Sequence, residues 1–183
     1  MQKLLCDVQD VADWYLSKGC RLWHPFDIKM AYNGTPWLTV QLELGHDEIG
    51  DTANPDYSIS SEIVIVFEKL GFPTPEPVAL MPIHHQIAQK FHAISDKDSE
   101  RAHDLIDLQL IAEREDIDYL FLKEACKRLF VARKIQSWPP IIAKGEDWSV
   151  LYEEQIEGLS VLETVDEAIV WVNEFVRNID KSK

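Results

Sequence analysis

Positive charge is scarce in this 183-residue chain: 18 lysines and arginines stand against 32 aspartates and glutamates, a formal net charge of −14. Non-specific binding to DNA or RNA is disfavoured by that balance, because neutralising phosphates takes clustered Lys and Arg. A local basic pocket for a polyanion stays open. Cysteine is equally sparse. Cys6, Cys20 and Cys126 are odd in number and lack Cys-x-x-Cys spacing, which argues against a disulfide framework and a zinc ribbon and suits a reducing compartment. No apolar run approaches the roughly 20 residues of a membrane span. The opening MQKLLCDVQDVADWYL carries acids where a signal peptide would carry a neutral core, so a cytoplasmic location with no membrane partner is expected. Internal repeats and low-complexity tracts are missing as well.

What is present reads as one domain, or one domain with an appendage, with 46% hydrophobic and 27% charged residues. Val8, Val11, Ala12, Tyr15 and Leu16 fall at helical spacing ahead of Gly19. Phe26, Ile28, Met30 and Tyr32 then alternate with Asp27, Lys29 and Ala31, the period of a strand. Asn33-Gly34 predicts a hairpin turn into WLTVQLELG. Residues 46–60 read as a loop, Ser61 to Leu70 as a short helix, and FPTPEP as a stiff connector. Five helices are expected after Pro82: His84–Ile94, Ser99–Glu113, Asp118–Ile135, Asp147–Glu157 and Val165–Asn178. Strands early and helices late make an α+β arrangement, with residues 1–81 as the sheet-bearing part and 82–183 as a helical domain.

One stretch, HHQIAQKFHAISDKDSERAHDLIDLQLI, carries charge where a core argument alone would not place it. At about 100° per residue, Ile83, Ile87, Phe91 and Ile94 form a buried stripe, and Lys90 lies at its edge. A lysine there must reach out to water or meet an acid. On the next helix Ala102, Leu105, Ile106 and Leu108 make the apolar face. Asp104 and Asp107 are flank neighbours, roughly 5–6 Å apart at Cβ. Two carboxylates that close call for a cation: Lys90, Arg101, a metal, or else water. Spacing fits a structural ion pair between helices, and it also fits a pocket in which Lys90 contacts a phosphate.

Here the sequence resembles the C-terminal signature of the AbiEii/AbiGii toxin family of nucleotidyltransferases, in which Ala-Glu-Lys-Leu-x-Ala precedes Arg-x-Arg/Lys-Asp-Leu-x-Asp-Leu. The match falls on Ala88, Lys90, Ala93, Arg101, Asp104, Leu105, Asp107 and Leu108, and the hairpin resembles the family's central sheet. It covers roughly residues 20 to 135. The resemblance implies a partial polymerase-β-like nucleotidyltransferase sheet followed by a helical half. It also implies Mg2+ or Mn2+ for the complete family member, and nucleotide transfer from an NTP to an acceptor such as tRNA or another RNA. By family role Lys90, Asp104 and Asp107 are catalytic, with Lys90, Arg101 and His103 contacting the nucleotide. Glu43 is the expected strand-borne metal ligand, with Asp27 as its competitor. An antitoxin protein is an implied partner, and an exposed sheet edge would invite a homo-oligomer.

The sequence departs from that pattern in one place above all. None of its seven glycines forms the Gly-Gly or Gly-Ser dipeptide that precedes the family's Asp-x-Asp. Asp96-Lys97-Asp98 sits in a linker and Asp116-Ile117-Asp118 at a helix junction. A fragment or a degenerate relative is therefore expected, inactive as this chain alone. Gln89 and His103 also stand where an acid and a basic residue are customary. Two other readings compete. His84, His85, His92, His103 and Asp104 could hold a metal as in HD-type phosphohydrolases. Alternatively, Trp14, Trp23, Trp37, Trp138, Trp148 and Trp171, with the acidic run of 145–167, could form a non-catalytic docking module.

Overall fold

The computed structural model describes residues 24–44, 49–50, 54–96 and 98–183. The helix expected over Asp7 to Ser17, with Trp14 and Trp23, lies outside them. By its internal contacts the chain divides into two compact units, Met1–Asp47 and Glu48–Lys183.

In the first unit, strand β1 (His24–Tyr32) pairs antiparallel with β2 (Thr35–Leu44). The turn needs two residues in the left-handed region, and Asn33 (φ 49°) and Gly34 (φ 78°) supply them. The register slips between Met30 and Ala31, so Trp37 is the extra residue of a bulge and stands 69% exposed.

The second unit opens with β3 (Asp56–Ser58), helix α1 (Ser61–Lys69) and β4 (Val78–Leu80). β3 and β4 pair antiparallel, Asp56 opposite Leu80. This small second sheet corrects the expectation of a plain loop and connector. Strands of three exposed residues carry no readable alternation, and their partners lie far apart in sequence. Helix α1 starts at Ser60, whose hydroxyl accepts from Glu62 N, and it buries none of its residues. Ile63, Ile65, Val66 and, beyond its end, Leu70 and Phe72 stay exposed.

Five helices follow: α2 (Ile83–Ile94), α3 (His103–Arg114), α4 (Tyr119–Arg133), α5 (Trp148–Glu153) and α6 (Val165–Lys181). Among the described residues, the buried apolar side chains all fall between Pro82 and Ile179, on these helices and the segments flanking and joining them. Most of the stripe read from the sequence is buried: Ile87, Phe91, Ala102, Leu105 and Leu108 are 0% exposed, while Ile83 is only partly buried. Asp118 caps α4 by accepting from Leu120 N and Phe121 N. α6 buries Val165, Ala168, Val172, Phe175, Val176 and Ile179, and Phe175 meets Phe91 edge-on at 5.5 Å. The acids of 145–167 are all exposed, a solvated face. The order of two small antiparallel sheets followed by a helical half is α+β and consistent with a partial nucleotidyltransferase-like fold.

Candidate functional site

Helix α2 delivers Lys90 to the flank of α3. The residues on either side of it along the helix face, Ile87, Phe91 and Ile94, are buried and hold α2 in place, while the Lys90 side chain remains 19% exposed. Its ammonium donates to Asp104 Oδ1 at 2.7 Å and to Asp107 Oδ2 at 2.6 Å. Arg101, just ahead of α3, donates from Nε to Asp104 Oδ2 at 2.6 Å and from Nη2 to Oδ1 at 3.3 Å. The question left open by spacing, which cation stands between the two aspartates, is thus answered by Lys90 between them and Arg101 beside Asp104.

Asp104 is the centre of the cluster. Its side chain is 0% exposed, against 45% for Asp107 and 53% for Arg101. An isolated buried carboxylate would take up a proton, but here both oxygens receive charge-assisted hydrogen bonds. Burial pushes the Asp104 carboxyl up; the hydrogen bonds from Arg101 and Lys90 outweigh it and hold the group below its ordinary value. Lys90 is balanced the same way: burial lowers it, and hydrogen bonds to Asp104 and Asp107 raise it above the ordinary lysine value. Arg101 is raised by its hydrogen bond to Asp104. Asp104 also sits in the first turn of α3, where the helix dipole favours negative charge.

Donor capacity remains after these bonds. A lysine ammonium has three donors and two are used; a guanidinium has five and two are used. His103, 40% exposed, brings Nε2 to 3.7 Å from Asp104 Oδ1. Lys90, Arg101, His103, Asp104 and Asp107 therefore form one cluster of the second unit, partly open to solvent. Asp27 and Glu43 belong to the hairpin of the first unit. Register sets Asp27 opposite Gln41 and Glu43 opposite Pro25, diagonal positions of one ribbon, and Asp27 is exposed.

His84, His85, His92 and His103 do not converge on one point as a metal site would need. His84 lies against Phe121 (5.1 Å between ring centres), and His92 lies against Phe130 (5.0 Å) with Nδ1 3.4 Å from Arg133 Nη1. Among the described residues, no three His, Cys, Asp or Glu side chains are grouped as a metal site would need. The phosphohydrolase alternative required such a group and is set aside. Trp148 and Trp171 are packing residues rather than docking ones: Trp148 is 1% exposed, and Trp171 packs on Phe175 at 5.3 Å.

Two polar features escaped the sequence reading. Gln109 is buried at 9% exposure and ties three segments together. It donates to Leu105 O and to Tyr152 Oη and accepts from Leu162 N. Nothing in its sequence neighbourhood marks it. Thr164 and Glu167 close a capping box at the start of α6, a Thr-x-x-Glu signal that was there to be read.

A sheet-first, helix-last α+β chain with a lysine clamped by an aspartate pair is consistent with a partial nucleotidyltransferase-like protein. Comparison with protein families gives the particular one. The model of the nucleotidyl transferase AbiEii toxin family, type IV toxin–antitoxin system, matches residues 17–170, and the chain belongs to that family. The match runs past Trp138, beyond the stretch in which the sequence motifs were legible. No curated protein matches the chain. Among the described residues, no helix is long and apolar enough to cross a membrane.

Proposed function

We propose that this chain grips the phosphates of an NTP with Lys90 and Arg101 in a metal-dependent nucleotidyl transfer to an RNA acceptor such as tRNA. The observation that carries the reading is the clamp itself. Two cations are anchored on the buried carboxylate of Asp104, and both keep N–H groups to donate. Anchoring removes side-chain freedom before the ligand arrives, so less ordering opposes binding. Asp104 orients both cations, Asp107 tethers the ammonium from the exposed side, and His103 adds a third basic group at the rim.

Mg2+ or Mn2+ is the group this chemistry calls for, and the fit differs between the two acid sets. Both Asp104 oxygens are engaged by cations, so ligation there would release one of them. Asp27 and Glu43, diagonal on the hairpin, offer two hard oxygen donors. Magnesium sites commonly need one or two carboxylates, with waters and substrate phosphates completing the shell. When bound, the ion would neutralise the triphosphate and help activate the acceptor.

The Gly-Ser/Asp-x-Asp segment of the family does not occur in this sequence. Transfer is accordingly expected only when such a segment is supplied. An antitoxin protein is the expected partner from the family's nature, and the location expected is the cytoplasm. Self-association would proceed through exposed strand edges.

Transfer of radiolabelled NTP to an RNA pool tests the reading. The chain alone should leave the RNA unlabelled. A version extended with an upstream Gly-Ser/Asp-x-Asp segment should label it, and Lys90→Met in that version should cost about a hundredfold or more. Unchanged labelling in the Lys90→Met protein would reduce the clamp to a tie between two helices.

A further inference from the structure

Positive charge, thin across the whole chain, is concentrated around α4. From Tyr119 to Trp138 stand five of the eighteen lysines and arginines against one acid, Glu124. The nucleotide clamp uses none of them. Lys123 is committed elsewhere, its ammonium donating to the carbonyls of Asp180 and Ser182 at the end of α6. Arg133 lies against His92. Lys127, Arg128 and Lys134 remain, all exposed. Lys127 pairs with the exposed Glu124 at 3.0 Å.

At about 100° per residue, Lys127 and Val131 share one stripe of α4 with Arg128 on its flank, and Lys134 (φ 58°, left-handed) and Ile135 follow directly at the helix end. Val131 and Ile135 are 72% and 69% exposed. Single exposed aliphatics need no explanation, but these two edge a cleft. It measures about 420 Å³, within the range of ligand pockets, and Phe130, Gln136 and Trp138 contribute to its lining. The carboxamide oxygen of Gln136 is shielded from water and, among the described residues, receives no hydrogen bond. An incoming N–H donor, met by a small turn of that side chain, would end the deficit.

We propose that this stripe and cleft dock an acidic, amphipathic peptide segment of another protein. Its apolar side chains lie over Val131, Ile135 and the Phe130–Trp138 floor, and its carboxylates meet Lys127, Arg128 and Lys134. Charge complementarity carries the choice of occupant: an acid-rich segment is repelled by most of a −14 surface and attracted here. Single-stranded RNA fits less well. Binding it takes aromatic faces open to stacking, whereas Trp138 packs against Phe130 at 5.6 Å and gives its indole N–H to Asp180. The exposed apolar groups, Val131 and Ile135, are aliphatic and offer no ring face for a base to stack on.

The test is fluorescence anisotropy of a labelled peptide carrying Glu and Leu at helical spacing, titrated with the full chain. Binding should saturate and weaken with added salt. It should fall about tenfold or more in the Lys127→Glu/Lys134→Glu chain, and likewise when Gln replaces Glu in the peptide. Lys144→Glu, which alters an exposed pair with Asp166, should leave it unchanged. Circular dichroism and thermal melting verify that each variant folds. Should the double variant fail, Val131→Ser with Lys134→Gln takes its place. Absence of saturable binding overturns the proposal, as does equal affinity for the Gln peptide or indifference to charge reversal. So does tighter binding of a short single-stranded RNA at the stripe. Concentration-dependent dimerisation abolished by the same variants would assign the surface to a second copy and overturn it equally.

Discussion

Asp104 and Asp107 carry the same chemistry one helical turn apart, yet their surroundings differ enough to separate their roles. Asp104 is fully enclosed and accepts from two cations, whereas Asp107 is nearly half exposed and accepts from one. Removing a partner from a buried charge cluster costs about 3–5 kcal/mol, while an exposed pair contributes about 1 kcal/mol or less. Urea titration of Asp104→Ala should therefore show a loss of about 3 kcal/mol or more, and of Asp107→Ala about 1 kcal/mol. The two shifted groups also set a pH window. Asp104 binds its proton less tightly when folded, so its contribution is complete above the unfolded value of about 3.9 and fades as pH falls through the lower folded value. Lys90, raised, contributes fully below about 10.4 and loses its contribution as pH climbs through the higher folded value. The stability gap between wild type and Asp104→Asn should stay level from about pH 5 to 9 and shrink in more acidic solution. A gap that keeps its size down to the lowest pH would show that the carboxylate charge is not what stabilises the cluster.

At the scale of elements, local signals were legible and tertiary ones were not. The hairpin could be read because Asn33-Gly34 and the period-2 run are both local, and the buried stripe of α2 because the 3.6-residue period is. Lys90 stood out as a charge at the edge of that stripe. Its choice of partners stayed open, since no period encodes which flank of the next helix turns toward it. Helix ends depended on contacts from elsewhere. α6 runs to Lys181 and not to Asn178, with Lys123 of α4 taking up carbonyls at its end. α5 stops at Glu153, short of the expected Glu157, and Gly158 turns the chain beyond it at φ 77°. The start of α6 is local again. Thr164→Ala removes the hydroxyl half of the capping box and should lower stability by about 1 kcal/mol, read as a drop in melting temperature of a few degrees. No change would mean that the packed face of α6 fixes its start without the cap.

At the scale of the molecule, an acidic chain meeting an anionic nucleotide must supply its attraction locally. The bulk charge repels a triphosphate, so affinity falls to a few cations held where the field is most favourable. On the proposed reading Lys90 and Arg101 meet that requirement, both held on the buried carboxylate of Asp104. Asp27 and Glu43 belong to the separate hairpin unit, where the register sets them at diagonal positions. Family membership over residues 17–170 spans both units. Calorimetric titration of an NTP with Mg2+ into the wild-type chain and into Lys90→Met, each verified as folded, addresses the clamp without requiring turnover. The wild type should bind and Lys90→Met should bind about tenfold more weakly, the loss of one charge-assisted contact to phosphate. Equal affinity in the two proteins, or no binding by either, would contradict the account.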